Sequence, residues 1–219
     1  MAVEDILQGL ISYPQFQIKL LKKRKNKDSV NQVFIDKLNE EIKEAQIVLY
    51  REAAKREGEE FSIENFAEMD LQCLMQLLGV FMPIVKLARQ DSYLIGLEAK
   101  QITVRGENCM VRVGGGYVTI REYFNKYATK QCVSLYHEMA ANSTTFVDTV
   151  LNVLQRNLAP AEVIEAYSSE MQNWEDVNSL FVLIATFLEQ KTRELNSSPS
   201  RKSPKKKKKS RPADGDMFQ

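Results

Sequence analysis

Histidine occurs once in the 219 residues, as His137. A Ser-His-Asp arrangement or a histidine metal cluster would rest on that one side chain, so His137 reads as a packing or helix-surface residue. Cysteine is nearly as scarce. Cys73, Cys109 and Cys132 are odd in number and widely spaced, which argues against a disulfide framework. A Cys132/His137 nucleophile–base dyad lacks the i, i+4 spacing of a helix face. As zinc ligands the two would supply only half of the four that a structural site needs. No run of eighteen apolar residues occurs, and the opening MAVEDILQGL is not a secretory signal peptide. A soluble, intracellular protein is expected. The G-x-x-x-x-G-K-S/T phosphate loop and the glycine spacing of a dinucleotide site are both missing. No internal repeat is evident. Together these absences predict a protein that is not an enzyme.

What is present is an apolar content of 44%, enough for a sizeable core, in a chain long enough for one or two small domains. The net charge of +1 conceals an asymmetry. Residues 196–219 hold eight Lys/Arg against two Asp, a net +6, which leaves residues 1–195 at −5. Inside that acidic body, residues 93–131 carry Lys100, Arg105, Arg112, Arg121, Lys126 and Lys130 against Glu98, Glu107 and Glu122, a net +3. A basic island of this kind suits an acidic partner.

The same stretch, YLIGLEAKQITVRGENCMVRVGGGYVTIREYFNKY from Tyr93 to Tyr127, holds five of the nine glycines and the only long strand periodicity. Ile102 and Val104 alternate with Thr103 and Arg105. After Gly106-Glu107-Asn108, Cys109, Val111 and Val113 alternate with Met110 and Arg112. Period two on both sides of a short glycine-containing loop predicts a hairpin. Gly114, Gly115 and Gly116 then permit positive φ or a close backbone approach. Tyr117 to Thr119 resumes as a short strand. Thr119 with Glu122 forms a capping box that starts a helix near Ile120, with Ile120, Tyr123, Phe124 and Tyr127 on one apolar face.

VRGENCMVRVGGGYVTIREYFNKY resembles the core of the growth-arrest-specific-related (GAR) domain, a module of spectraplakins and other microtubule–actin linkers. Met110, Val111, Arg112, Val113 and Gly114 to Gly116 match its turn, with Tyr117 where a tryptophan is usual. Tyr93-Leu94-Ile95-Gly96 resembles the domain's earlier strand. The resemblance implies microtubule binding, with tubulin as the acidic partner. The family also carries cysteines before its first strand and near the end of its helix that contribute to a zinc site. Here no cysteine-rich segment precedes Tyr93; Cys73 lies about twenty residues upstream in a helical segment, and Cys132 stands in for the late cysteine. No cofactor is expected, zinc being the single one that the resemblance raises. No calponin-type actin-binding domain can be fitted into the rest of the chain.

Residues 3–11 predict a short helix ended by Tyr13-Pro14. Lys19 to Lys27 is strongly basic, read either as a solvated helix end or linker or as a second contact with an anionic surface. Ser29 with Gln32 is a capping box for a helix to about Glu57, with Phe34, Leu38, Ile42, Ala45 and Leu49 as its stripe. Ser62 reads as the next N-cap, with Phe61 and Phe66 as a hydrophobic staple. The helix from Ile63 is apolar all round near LMQLLGVFMPIVKLA and should be buried, kinked or broken at Pro83. Three helices follow residue 132. One spans roughly Val133–Asn157 with a break at 142–145. One starts at Pro160. The last follows an Asn173 cap with Leu180, Phe181, Ile184, Phe187 and Leu188 inward. From Asn196 the Pro-, Ser- and Lys-rich composition predicts disorder, with Ser198-Pro199 and Ser203-Pro204 as minimal phosphorylation patterns.

The predicted fold is α+β: an antiparallel sheet of three or four short strands, flanked by N- and C-terminal helices and followed by a disordered basic tail. The divisions fall at 1–90, 91–131, 132–195 and 196–219. The predicted function is non-catalytic microtubule binding in the cytoplasm, on the cytoskeleton, in a cilium or at a centrosome, with other cytoskeletal or axonemal proteins as further partners. The candidate contacts are Lys100, Arg105, Arg112, Gly114, Gly115, Gly116, Tyr117, Arg121, Lys126 and Lys130, with Lys205, Lys206, Lys207, Lys208 and Lys209 in the tail. Two other readings stay open. One is nucleic-acid binding or nuclear targeting through Lys205 to Lys209; the other is a helical scaffold without microtubule affinity of its own.

Overall fold

The apolar stripe that begins at Ile6 does not stop at Pro14. In the computed structural model, which describes residues 3–23, 29–56, 61–89, 91–170 and 174–197, the first helix α1 runs Val3–Lys23 with Pro14 inside it. The predicted end at Tyr13-Pro14 is therefore wrong. A proline inside a helix costs about 3 kcal/mol. Ile18 and Leu21, buried beyond it, offset that at about 1.5–3 kcal/mol each. Lys19, Lys22 and Lys23 are exposed, the last two in the final turn, where cations complement the helix dipole. The rest of that basic run lies outside the described residues. Helix α2, Ser29–Ala54, buries the predicted stripe of Phe34, Leu38, Ile42, Ala45 and Leu49. The Ser29 half of its predicted cap lies outside the described side chains, and Gln32 donates its amide to Asp36 Oδ1 at 2.8 Å.

The segment read as one helix from Ile63 divides. A single turn, α3 (Asn65–Glu68), is followed by α4 (Leu71–Gly79), whose N-cap is Asp70 accepting from the Cys73 amide. The expected staple forms, with Phe61 and Phe66 edge to face at 5.8 Å. The apolar run after Gly79 is not a helix. Ile84–Lys86 is strand β1, buried at all three positions. A short continuous apolar run suits a buried strand as well as a buried helix, and what decides here comes from elsewhere in the chain. Gln17 of α1, itself fully buried, accepts from the Ile84 amide at 2.5 Å and donates to the Met82 carbonyl at 3.2 Å. It thereby satisfies the backbone on both sides of Pro83.

β1 opens a five-stranded antiparallel meander with β2 (Ser92–Ile95), β3 (Glu98–Arg105), β4 (Asn108–Val113) and β5 (Gly116–Thr119), in the order β1-β2-β3-β4-β5. Three of its turns have two residues: Gly96-Leu97, Gly106-Glu107 and Gly114-Gly115. In each, the first glycine has positive φ, at +69°, +60° and +60°, the pattern of a type II′ hairpin. Gly115 and Gly116 are not in the left-handed region, and a Cβ on either would meet open space. Of the triplet, Gly114 alone uses the positive φ that the three glycines permit. Among the glycines of the sheet turns the tightest is Gly96, where a Cβ would lie 2.6 Å from Gln131 Oε1. That oxygen accepts from the Leu97 amide, and Asn157 donates to the Leu97 carbonyl. The β2–β3 turn is so pinned to the helices that follow the sheet.

Helix α5 runs Ile120–Asn142 without the predicted separation before Val133, and starts with the expected Thr119/Glu122 capping box. It ends where Ser143 turns left-handed at φ +53°, inside the predicted break. Helix α6 (Phe146–Arg156) has its own capping box of Thr145 and Asp148. Helices α7 (Ala161–Glu170) and α8 (Glu175–Ser197) complete the described chain; Asn173 lies outside it. On α8, Leu180, Phe181, Ile184 and Leu188 are buried as predicted, while Phe187 is half-buried. One hydrophobic core joins residues from Ile6 to Leu188. Tyr13 lies at its centre, edge to face with Phe146 at 5.0 Å and with Trp174 at 5.4 Å, and Phe146 continues to Phe181 at 4.6 Å.

Candidate binding surface

Strand alternation gives the β3–β5 half of the meander an inner and an outer face. Ile102 pairs with Val111, and Val111 with Val118. Ile102, Val111 and Cys109 are buried against the helices. The other parity points outward: Gln101, Thr103 and Arg105 on β3, Met110 and Arg112 on β4, and Tyr117 on β5, with Thr103 opposite Met110 and Arg112 opposite Tyr117. Arg105 and Arg112 thus share one face, as the alternation predicts.

The outer face has its own order. The Arg105 guanidinium lies over the Tyr117 ring at 4.6 Å, a contact worth about 0.5–1 kcal/mol at an exposed site. Arg112 Nη1 donates to Gln101 Oε1 at 3.3 Å. No carboxylate of the described residues pairs with Arg105, Arg112 or Arg121. The acidic residue nearest in sequence to Arg121 is already occupied. Glu122 accepts from the Thr119 amide and hydroxyl, which holds its carboxyl below the ordinary glutamate value of 4.5. Sequence reading missed Gln101, although its parity with Arg105 on β3 was available.

The structure does not gather every predicted contact here. Lys100 has the opposite parity from Arg105, is half-buried and is ion-paired with Glu98. Arg121 is exposed in the first turn of α5. Lys126 and Lys130, further along α5, line a groove against α4 and α8 instead. Gly114, Gly115 and Gly116 are exposed at the tip of the β4–β5 hairpin. Lys205 to Lys209 lie outside the described residues.

Cys132 is completely buried, and desolvation pushes its thiol far above the usual range. Burial, with Asp70 next, raises Cys73 to about 11. His137 is exposed on α5 and pairs with Glu189 of α8, so it diverges from Cys132 on the same helix. Among the described residues no three of His, Cys, Asp and Glu are grouped to hold a metal ion, and the donor set does not fit a zinc site. No described helix is long and apolar enough to cross a membrane.

Comparison with curated proteins and with solved structures gave no match. A family model does match, over less than half of the chain. It begins just before β1 and ends at Cys132 of α5, so it takes in the whole meander and the helix start that frames the outer face. Residues 81–132 match the Growth-Arrest-Specific Protein 2 Domain, a module of cytoskeleton-associated proteins.

Proposed function

We propose that this protein binds microtubules, without catalysis, through the outer face of β3–β5. The observation that carries the reading is the pair Arg105 and Arg112, held on one exposed face beside Tyr117 with no carboxylate partner among the described residues. Such cations keep their charge available for an acidic surface, and the tubulin surface is strongly acidic. The domain match supports a cytoskeletal setting. Arg121, at the start of α5 directly after β5, extends the surface. Lys100, tied to Glu98, is left outside it. Lys205 to Lys209 add affinity through charge, and the protein acts in the cytoplasm, on the cytoskeleton or within a cilium.

Cosedimentation with stabilised microtubules tests this. The full chain should pellet, and Arg105→Glu with Arg112→Glu should weaken binding at least about tenfold, while stability falls by no more than about 1 kcal/mol, the value of the Arg105–Tyr117 contact. Affinity that resides wholly in residues 196–219, with the arginines silent, would favour the nucleic-acid reading instead.

A further inference from the structure

Lys126 and Lys130 border a groove of about 530 Å³ in which α4, α5 and α8 meet. Its walls are apolar: Leu71 and Met75 from α4, Val133 from α5 and Leu188 from α8. Two threonines in it have hydroxyls tied back to the backbone, Thr129 to the Met75 carbonyl at 3.2 Å and Thr192 to the Leu188 carbonyl at 2.7 Å. They present methyl groups rather than free donors. On α8 the stripe continues past the groove, because Leu195 follows Thr192 at i+3 and is 63% exposed.

The rim is cationic. Glu189 is matched by Arg193 at 2.9 Å and also pairs with His137. Lys126 and Lys130 are exposed and have no carboxylate partner among the described residues. From Asn125 to His137 the lining follows α5 for about 18 Å at 1.5 Å per residue, the length of three helical turns. An apolar floor of that length under a charged rim is the geometry in which an amphipathic helix seats its anchors. The Lys-rich tail of this chain is repelled by the two rim lysines, so charge argues against it as occupant.

We propose that this groove is a second binding site, separate from the sheet face, for an acidic amphipathic helix of a partner protein. Its anchors enter between Met75, Val133 and Leu188, and its carboxylates meet Lys126 and Lys130. Occupied together with the sheet face, it makes the molecule a two-site linker.

A labelled helical peptide of about eighteen residues, with leucines at i, i+3, i+4 and i+7 and glutamates on both flanks, is the probe. Fluorescence anisotropy with the full chain reads its affinity. The peptide should bind, and its lysine-flanked counterpart should bind at least about tenfold more weakly. Lys126→Glu with Lys130→Glu should weaken the acidic peptide by a similar factor while microtubule cosedimentation and melting stay as in the parent. Val133→Glu should do the same through the floor. Equal binding of both peptides, or indifference to the lysine substitutions, would overturn the proposal. So would binding of anionic vesicles in place of the peptide, or a dimer of this chain dispersed by the same substitutions, which would hand the groove to lipid or to a second copy.

Discussion

Three glycines in the sheet differ in what they must do, although a sequence shows them alike. Gly96 needs both a positive φ and the space taken by Gln131. Gly114 needs only the φ, and Gly115 needs neither. An L-residue in the left-handed region costs about 1–2 kcal/mol, and losing the Gln131 hydrogen bond adds about 1 kcal/mol. Gly96→Ala should therefore destabilise by about 2–3 kcal/mol, Gly114→Ala by about 1–2, and Gly115→Ala by less than about 0.5. Denaturant melts of the three variants should keep that order. An equal loss at Gly115 would refute the turn assignment. Tyr117 is a related case. Tyr117→Ala removes the ring under Arg105 and should lower stability by no more than about 1 kcal/mol. It should nonetheless weaken microtubule binding, because Arg105 then loses its fixed position.

At the scale of elements, β1 and α5 are held by single side chains whose removal can be read directly. Gln17 satisfies Ile84 and Met82 across 65 or more residues of chain. Gln17→Ala leaves a buried amide and a buried carbonyl without partners, a loss of about 2–3 kcal/mol. Hydrogen exchange should speed up first at Ile84–Lys86. The α5 cap responds to pH. Glu122 has a folded pKa below its ordinary value because Thr119 donates to its carboxylate. A depressed carboxyl contributes its stability above the unfolded pKa and loses it as pH falls through the folded one. The gap in melting temperature between the parent and Glu122→Gln should be full near neutrality and close in acid. A gap that stays constant down to strong acid would remove the capping box from the account.

For the whole molecule, the distribution of charge separates two kinds of contact. The outer sheet face holds Arg105 over Tyr117 and Arg112 beside Gln101, whereas the run from Lys205 to Lys209 is proposed to act as charge alone. Exposed charges are screened beyond about 8–10 Å at physiological ionic strength. Neutralising the five lysines should therefore weaken microtubule binding most at low salt and flatten its salt dependence. Charge reversal at Arg105 and Arg112 should weaken it at every salt concentration. Phosphorylation at Ser203 adds about −1.5 to −2 charge beside the run and should act in the same direction as neutralisation. Tail neutralisation without effect at low salt would assign the run to targeting.

Much of the sheet half was legible in the sequence because its information is local. Alternation on both sides of the loop read at Gly106-Glu107-Asn108 put Arg105 and Arg112 on one face, although the structure shortens that turn to Gly106-Glu107 and pairs Asn108 with Arg105. Thr119 and Glu122, three residues apart, marked the start of α5, and the stripe from Phe34 to Leu49 marked the buried side of α2. Each depends on neighbours within one or two turns. The tertiary structure decided what local pattern leaves ambiguous. Ile84–Lys86 is a strand because β2 pairs with it and Gln17 clamps its start. α1 passes through Pro14 because Ile18 and Leu21 are buried beyond it. Lys126 and Lys130 were read with the arginines as one basic island, and α5 carries them to a different groove. Charge is additive along a sequence, but the field a partner meets depends on which face each element turns outward, and packing sets that.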